Sequence, residues 1–185
     1  MKSDLFFITG NAGKFEEAQA FIPEIKQLDL DLDEMQSLDA HKIIKHKLEE
    51  AQKHHKGSFI VEDVSVYIDG MNGLPGPLIK WFLSTVGCEG LAKLTKVFGN
   101  AASAKCIVGY FDGQKTEFFE GEANGIIVAP RGSSGFGFDK IFIPKGYKKT
   151  FGEMPKEEKN KISMRKIAFE KLKEHLKNNL SHAKL

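Results

Sequence analysis

Residues 6–19 read FFITGNAGKFEEAQ: an apolar run, a turn with two glycines, and a lysine followed by helix-forming residues. The pattern predicts a strand over residues 5–9 and a helix over residues 14–22. Such a turn places unpaired N–H groups of the helix start where an anion can bind, with Lys14 in reach. Taken alone, however, the stretch favours the simpler interpretation that Asn11 caps the helix and Lys14 is solvated.

Neither of two familiar phosphate-binding motifs is present in this turn. A Walker loop requires a glycine at position 8 and a hydroxyl residue after Lys14, where Ile8 and Phe15 stand instead. The Gly-x-Gly-x-x-Gly pattern of dinucleotide-binding turns is also missing from the stretch. The turn therefore has to be interpreted together with the rest of the chain.

The bulk composition predicts one soluble domain over residues 1–185. Of the 185 residues 41% are hydrophobic, and 27 Lys and Arg stand against 25 Asp and Glu. A net charge of +2 gives no general attraction for nucleic acid or an anionic membrane, so neither partner is expected. Cys88 and Cys106 lack metal-ligand or redox spacing, and no stretch reads as a signal peptide or membrane span. A cytoplasmic location is therefore expected.

Predicted strands and helices alternate along the chain, which predicts an α/β fold. Further strands are expected over residues 25–32, one or two over 58–69, a hairpin of 104–111 and 116–128, and a short strand after the glycine-rich loop near residue 135. Further helices are expected from Ser37 or Asp39 to about His55, after Pro77, and from about Pro155 to Leu180.

Acidic residues stand near the predicted strand ends. Glu62 and Asp63 follow the apolar run FIV, which predicts that they lie at the rim of the sheet. Asp31, Asp33 and Glu34 follow another predicted strand. Carboxylates beside a bound phosphate chain suit Mg²⁺, which completes its shell with water and phosphate oxygens. Ordinary exposed turn residues are the alternative, and spacing alone leaves both interpretations open.

Basic and aromatic residues allow further interpretations. The segment HKIIKHKLEEAQKHHK, residues 41–56, is expected to be a helix with a solvated basic face, with a nucleic-acid binder as the alternative. Trp81 is expected in the core. Phe136 and Phe138 lie in a glycine-rich loop and are candidates to stack on a base.

Five stretches, taken in order, resemble the inosine triphosphate pyrophosphatase family. They read TGNAGK at 9–14, VEDVS at 61–65, NGLPGPLIKWF at 72–82, GFGFDKIFIPKG at 135–146 and FGEMPKEEKNKISMR at 151–165. The resemblance implies an elongated, two-lobed α/β fold around a long mixed sheet, with the nucleotide in the cleft between the lobes, and usually a homodimer. It also implies Mg²⁺-dependent hydrolysis of ITP, dITP and XTP to the monophosphate and pyrophosphate, which removes deaminated purines from the nucleotide pool.

The resemblance assigns roles residue by residue. Asp63 matches the acidic residue that binds metal and activates water, and Glu34 matches a second metal ligand. The residues implied to bind the triphosphate are Thr9, Gly10, Asn11, Lys14, Lys47 and Lys80. Those implied to form the base pocket are Phe136, Gly137, Phe138, Asp139, Lys159, Met164 and Arg165. Lys159 and Arg165 are the expected donors to the C6 carbonyl of a deaminated purine.

Two positions depart from the family pattern. Met164 stands where the family has a histidine beside the base, and a thioether cannot donate a hydrogen bond. Val64 stands where the family usually has Thr or Ser, so a hydroxyl near the metal or phosphates is expected to be lost, with Ser65 adjacent. These departures leave an alternative open: a nucleotide-binding protein of the same fold with altered base selectivity or weak turnover.

Overall fold

A computed structural model describes residues 4–182, with side chains through residue 179. The strands are β1 (Phe6–Ile8), β2 (Lys26–Leu28), β3 (Phe59–Ile68), β4 (Pro75–Gly76), β5 (Ala101–Phe111), β6 (Thr116–Ile127) and β7 (Phe142–Pro144). The helices are α1 (Ala12–Phe21), α2 (Ala40–His54), α3 (Ile79–Thr85), α4 (Gly87–Phe98), α5 (Lys156–Lys159) and α6 (Met164–His182). Among the described residues, no helix is long and apolar enough to cross a membrane.

All seven strands form one mixed sheet in the order β2-β1-β3-β5-β6-β7, with β4 on β3. Strand β1 runs parallel to both β2 and β3. The β3–β5, β5–β6 and β6–β7 pairs are antiparallel, and β5 and β6 form the predicted hairpin. The α/β class and the mixed sheet are thereby confirmed.

The edge of β3 that faces β1 is uncovered in the middle of the strand. Strand β1 pairs with Phe59 and Ile60, and β4 pairs with Val66 and Tyr67. Among the described strands, none pairs with this edge over residues 61–65, whereas β5 covers the opposite edge throughout. The short β1 therefore opens a gap beside its carboxyl end, where ligands commonly bind to sheets that contain parallel strands.

Helices cover both faces of the sheet, and two glycines set how closely they approach. On one face α2 packs Ile44 and Leu48 onto the sheet, and a Cβ at Gly109 would lie 2.5 Å from Ile44 Cγ2. On the other face α6 passes over Gly121, where a Cβ would lie 2.0 Å from the carbonyl oxygen of Met164. A side chain at either glycine would push a helix away from the sheet and open voids in the core.

Several predicted boundaries are wrong. The predicted strand over 25–32 is only three residues long. The first helix begins at Ala12, two residues early, because Asn11 caps it. Asp39, and not Ser37, is the cap of α2. The predicted tail helix is divided into α5 and α6, and Ala168 and Leu172 of α6 are fully buried.

Candidate active site

Every residue predicted for the site lines one cleft of about 610 Å³, a volume typical of small-molecule sites. The cleft lies beside the uncovered edge of β3 and is bounded by the turn after β1, the loop after β2, α3 and the loop before β7. The residues brought together are Thr9, Gly10, Asn11, Lys14, Glu34, Lys47, Asp63, Lys80, Phe136, Gly137, Phe138, Asp139, Lys159, Met164 and Arg165. Their individual roles stay predictions.

The opening turn agrees with one part of the simpler interpretation and contradicts another. Asn11 does cap α1, because its Oδ1 accepts a hydrogen bond of 2.9 Å from the backbone N–H of Lys14. Lys14 is only partly solvated, however: its side chain is 22% exposed, and its Nζ lies 3.3 Å from Oε1 of the buried Glu62. Thr9 Oγ1 accepts from the N–H of Asn11 at 3.1 Å and tightens the turn. A helix start of this kind leaves further N–H groups for a ligand in the cleft.

Glu62 and Asp63 lie in the middle of β3, not at its end, so the predicted position at a strand end is wrong. Because side chains alternate along a strand, the two carboxylates point to opposite faces of the sheet. Asp63 faces α2, the side of Val61, and Glu62 faces α6, the side of Ile60. They are reachable from the cleft because this stretch of β3 has no strand beside it.

On the α2 face, two lysines and two carboxylates form a chain of ion pairs. Nζ of Lys47 lies 3.4 Å from Oδ1 of Asp63 and 3.4 Å from Oε1 of Glu34. The ammonium of Lys80 lies 3.0 Å from Oε2 of Glu34. Lys47 is thus an inward-facing member of the basic helix α2, and only 9% of it is exposed. Asp63 and Glu34, the two predicted metal ligands, therefore both lie beside the ammonium group of Lys47.

The two carboxylates of this chain differ in acidity. Burial raises the pKa of Asp63 above its usual value, and the charges of Lys47 and Lys14 only partly offset this effect. Burial acts in the same direction on Glu34, but Lys47 and Lys80 outweigh it and lower the pKa of that carboxyl. A carboxylate with a raised pKa is a better proton acceptor, so Asp63 is the stronger candidate for a general base.

On the α6 face, a second set of charges is almost completely buried. Nε and one Nη of Arg165 donate to the two carboxylate oxygens of Glu62 at 2.7 and 2.8 Å, and its other Nη donates to Glu17. Lys159 Nζ donates to Glu17 at 2.7 Å and to Asp139 at 2.5 Å. Sequence reasoning assigned no role to Glu17 and considered Glu62 only as a carboxylate that could lie near Mg²⁺. The available signal for Glu17 was its place beside Ala18 on the buried face of α1, where a carboxylate needs a charged partner.

These pairs favour the charged forms of Glu62 and Arg165 but not that of Asp139. Burial by itself would raise the pKa of Glu62, but Arg165 and Lys14 outweigh it and lower the pKa to about 2. The same contacts overcome the burial of Arg165 and raise the pKa of its guanidinium. For Asp139, burial dominates over the attraction of Lys159, and its pKa is raised. Lys159 and Arg165, which are expected to donate hydrogen bonds to the purine, thus already contact carboxylates in the protein without ligand.

The aromatic residues are distributed differently from the expectation. Phe138 is only 6% exposed and packs against Phe142, so it belongs mainly to the core although it reaches the cleft. Phe136 is half-buried, with Lys159 Nζ 5.0 Å and Arg165 Cζ 5.4 Å from its ring centre. Trp81, expected in the core, is 49% exposed at the cleft, because α3 packs on the protein through Ile79 instead. The expectation for Trp81 is wrong.

Met164 and Val64, the two departures from the family pattern, lie in different parts of the site. Met164 is only 2% exposed and begins α6 at the cleft. Val64 alternates with Asp63 along β3 and packs in the core cluster on the α6 face. A hydroxyl there would therefore lie on the face opposite Asp63. Ser65 lies on the same face as Asp63, and its hydroxyl is 3.4 Å from Oδ2.

The carboxylates of the cleft suit a metal ion that also binds oxygen atoms of a ligand. Among residues 4–182, no three or more His, Cys, Asp and Glu side chains are grouped so as to hold a metal ion alone. Asp63 and Glu34 nevertheless share one lysine ammonium, so one cation can be contacted by both. Mg²⁺ is commonly held by one or two carboxylates, with phosphate oxygens and water as its other ligands. The residues present therefore fit such an ion.

The fold and the cleft together define an α/β protein whose site sets lysines and carboxylates beside an uncovered strand edge. The model of the Ham1 family matches residues 5–175. A curated relative from Schizosaccharomyces pombe, described as inosine triphosphate pyrophosphatase, is 40% identical over 178 residues, which is 93% of this chain and 94% of the relative. The chain therefore belongs to the Ham1 family, and the resemblance inferred from the five stretches is confirmed.

Solved structures show the same fold. The Ham1 protein of Staphylococcus aureus matches with a TM-score of 0.80 and 25% identity over 95% of this chain and 99% of that one. A HAM1 protein from Coxiella burnetii matches with a TM-score of 0.79 over 95% of this chain and 98% of that one, at 23% identity.

Proposed function

We propose that this protein hydrolyses the purine nucleoside triphosphates ITP, dITP and XTP to the monophosphate and pyrophosphate. The name of the S. pombe relative and the membership of the Ham1 family support this activity. The observation that carries it is the position of Lys47, which lies 3.4 Å from both Asp63 and Glu34 beside the open edge of β3. This arrangement suits a triphosphate and a divalent cation better than it suits a neutral ligand.

The lysines of the cleft offset the charge of the triphosphate. A nucleoside triphosphate brings about four negative charges at neutral pH, and its leaving pyrophosphate gains more during the reaction. Lys14, Lys47 and Lys80 all line the cleft and can each exchange a carboxylate partner for a phosphate oxygen. Pre-placed cations of this kind stabilise the transition state because they need no reorganisation when charge develops.

Asp63 accepts the proton of the attacking water; in the protein without metal, burial raises its pKa above the usual value. The water oxygen bonds to the α-phosphorus while the bond from that phosphorus to the bridging oxygen breaks, so pyrophosphate leaves with the bridging oxygen. Asp63 and Glu34 would hold Mg²⁺, which would neutralise charge on the phosphates when bound. Ser65 and Lys47 each contact one carboxylate oxygen of Asp63 and fix its orientation.

The base lies at the other end of the cleft, against the half-buried Phe136. A site that donates to the C6 carbonyl of a deaminated purine leaves its donors unpaired when adenine enters. Arg165 and Lys159 each retain N–H groups beyond those used for Glu17, Glu62 and Asp139. The cations thus stay charged and in place, with N–H groups left for the base.

We further infer a cytoplasmic enzyme that works as a homodimer, as the family resemblance implies. The near-neutral net charge of +2 supports a small-molecule substrate and not a nucleic-acid partner. Chain association is measured directly by sedimentation of the purified protein at several concentrations.

A substrate panel tests the proposed activity. ITP, dITP, XTP, ATP and GTP are incubated with the protein and Mg²⁺, and the products are identified. We expect pyrophosphate and the monophosphate from the deaminated purines, and no turnover in a folded Asp63→Asn variant. Orthophosphate as the product contradicts the proposal, whereas tight ITP binding without pyrophosphate release selects the nucleotide-binding alternative.

A further inference from the structure

Two side-chain contacts join helix α3 to the acidic loop, defined here as residues 29–38. The indole N–H of Trp81 donates to Oε1 of Gln36 at 2.6 Å. One residue earlier on α3, Lys80 Nζ lies 3.0 Å from Oε2 of Glu34. Adjacent residues of the helix thus hold two residues of the loop that are themselves two positions apart.

Apart from Leu30 and Leu32, which pack against the core cluster under α2, few contacts define the position of the acidic loop. It contains neither helix nor strand. Two contacts join the loop to α2. Oε1 of Glu34 lies 3.4 Å from Nζ of Lys47, and Oδ2 of Asp33 lies 3.6 Å from Nε2 of His46. Ion pairs that face water contribute little, and the side chain of Lys80 is 70% exposed. The uncharged bond between Trp81 and Gln36 is the shortest of these contacts, and salt does not screen it.

In the proposed function, ligand binding breaks the ion pair between Lys80 and Glu34 but not this hydrogen bond. If Lys80 turns to a phosphate oxygen and Glu34 to a cation, their mutual ion pair is lost. The bond between Trp81 and Gln36 involves neither group and can persist through the exchange. The hydrogen bond can therefore maintain the position of the acidic loop relative to α3 while Lys80 and Glu34 change partners.

We propose that Trp81 and Gln36 are positioning residues that hold the acidic loop against α3 and thereby act on Glu34 and Lys80. This inference rests on the proposed function, in which Glu34 contacts the metal ion and Lys80 the triphosphate. It also accounts for a tryptophan that is 49% exposed at the cleft, since the ring presents its N–H to the loop instead of packing in the core.

A double-mutant cycle tests the pair in the Mg²⁺-dependent hydrolysis of ITP. Trp81→Phe removes the donor, Gln36→Leu removes the acceptor, and both are compared with the double variant. We expect each single variant to raise the Mg²⁺ concentration for half-maximal rate about five-fold, with kcat at saturating Mg²⁺ changed less. The double variant should show no further increase, because one bond is lost in all three.

Phe98→Leu is the matched control, since Phe98 is also 49% exposed but lies on α4, outside the cleft. It should leave the Mg²⁺ requirement unchanged. Effects of Trp81→Phe and Gln36→Leu that multiply in the double variant, or an unchanged Mg²⁺ requirement in both, would overturn the proposal. Gln36 is an exposed loop residue, so Gln36→Leu carries the test if Trp81→Phe does not fold.

A second measurement does not depend on activity. A glutamate-specific endoproteinase cleaves after Glu34, and fragment masses give the rate at this bond in protein without metal or nucleotide. We expect cleavage about five-fold faster in Trp81→Phe and Gln36→Leu than in the wild type and in Phe98→Leu. Equal rates would refute the contact as a restraint on the loop. A wild type that releases no pyrophosphate would refute the proposed function alone, because the cleavage rates still report on the loop.

Discussion

The ammonium of Lys47 lies 3.4 Å from Oδ1 of Asp63, between helix α2 and the face of the sheet opposite Glu62. The lysine is 9% exposed, so this pair is shielded from water far more than a surface ion pair. Its charge partly offsets the rise in the pKa of Asp63 that burial causes. Lys47 thus both holds the candidate base and supplies positive charge to the cleft.

Replacement of Lys47 tests this dual contribution. We expect Lys47→Met to lower kcat/KM for ITP at least about 100-fold, as the loss of a pre-placed transition-state contact does. The acid limb of the pH–rate profile should move to higher pH, because the pKa of Asp63 loses a lowering influence. Lys45→Met on the same helix is the control, since the Lys45 side chain is 73% exposed and pairs with Glu49. Equal losses in both variants would contradict a specific role for Lys47.

Local patterns predicted most of the fold. The β5–β6 hairpin, α2 with Ile44 and Leu48 inward, and β1 followed by α1 all come from contacts close in sequence or from clear periodicity. The length of β1 could not be predicted, because three residues carry little pattern. Yet that short strand leaves the edge of β3 open and so creates the cleft. The extent of one domain over the whole chain stays a prediction.

The candidate site was predictable where the resemblance supplied positions, and not where pairing in space decides. The pairing of Glu17 and Glu62 with Arg165 was missed because this partner lies more than a hundred residues along the chain. The separation of Glu62 from Asp63 onto opposite faces follows only when both are seen to lie inside β3. Trp81 was placed in the core because its contact with Gln36 depends on a loop without regular structure.

Glu62 should make the stability of the protein depend on pH. Its pKa is lowered to about 2 from an ordinary value of 4.5, so its stabilisation is complete well above pH 4.5 and is lost as the pH falls towards 2. Between pH 6 and pH 3 the wild type should lose about 2 kcal/mol of unfolding free energy through this group. Urea denaturation of wild type and Glu62→Gln at both pH values measures the difference. Parallel pH dependence of the two proteins would contradict the prediction.

Gly13 leaves room for the ring of Phe136 against the first turn of α1. A Cβ at this position would lie 2.7 Å from Cδ1 of Phe136, so Gly13→Ala should displace the ring. We expect KM for ITP to rise about ten-fold, the scale of a lost base–aromatic contact, with stability kept by the better helix former. In a Phe136→Leu background the same change should have little further effect on KM. An equal rise in KM in the wild-type and Phe136→Leu backgrounds would show that Gly13→Ala does not act through the ring of Phe136.

Met164 offers a test of base selectivity. The side chain is 2% exposed at the start of α6 and lines the cleft, but its thioether donates no hydrogen bond. We expect Met164→His to increase the ratio of kcat/KM for ITP to that for ATP, because an imidazole N–H can bind the C6 carbonyl that adenine lacks. The conservative variant Met164→Leu should keep the wild-type ratio. Identical ratios in all three proteins would show that this position does not read the base.

A crystal structure with Mg²⁺ and α,β-methylene-ITP, which resists cleavage at the α–β bridge, tests the central claim most directly. We predict that the triphosphate lies against residues 9–14, with a cation contacted by Asp63 and Glu34 and with Lys47 and Lys80 turned to phosphate oxygens. A triphosphate bound away from this turn, with Asp63 distant from any cation, would contradict the account.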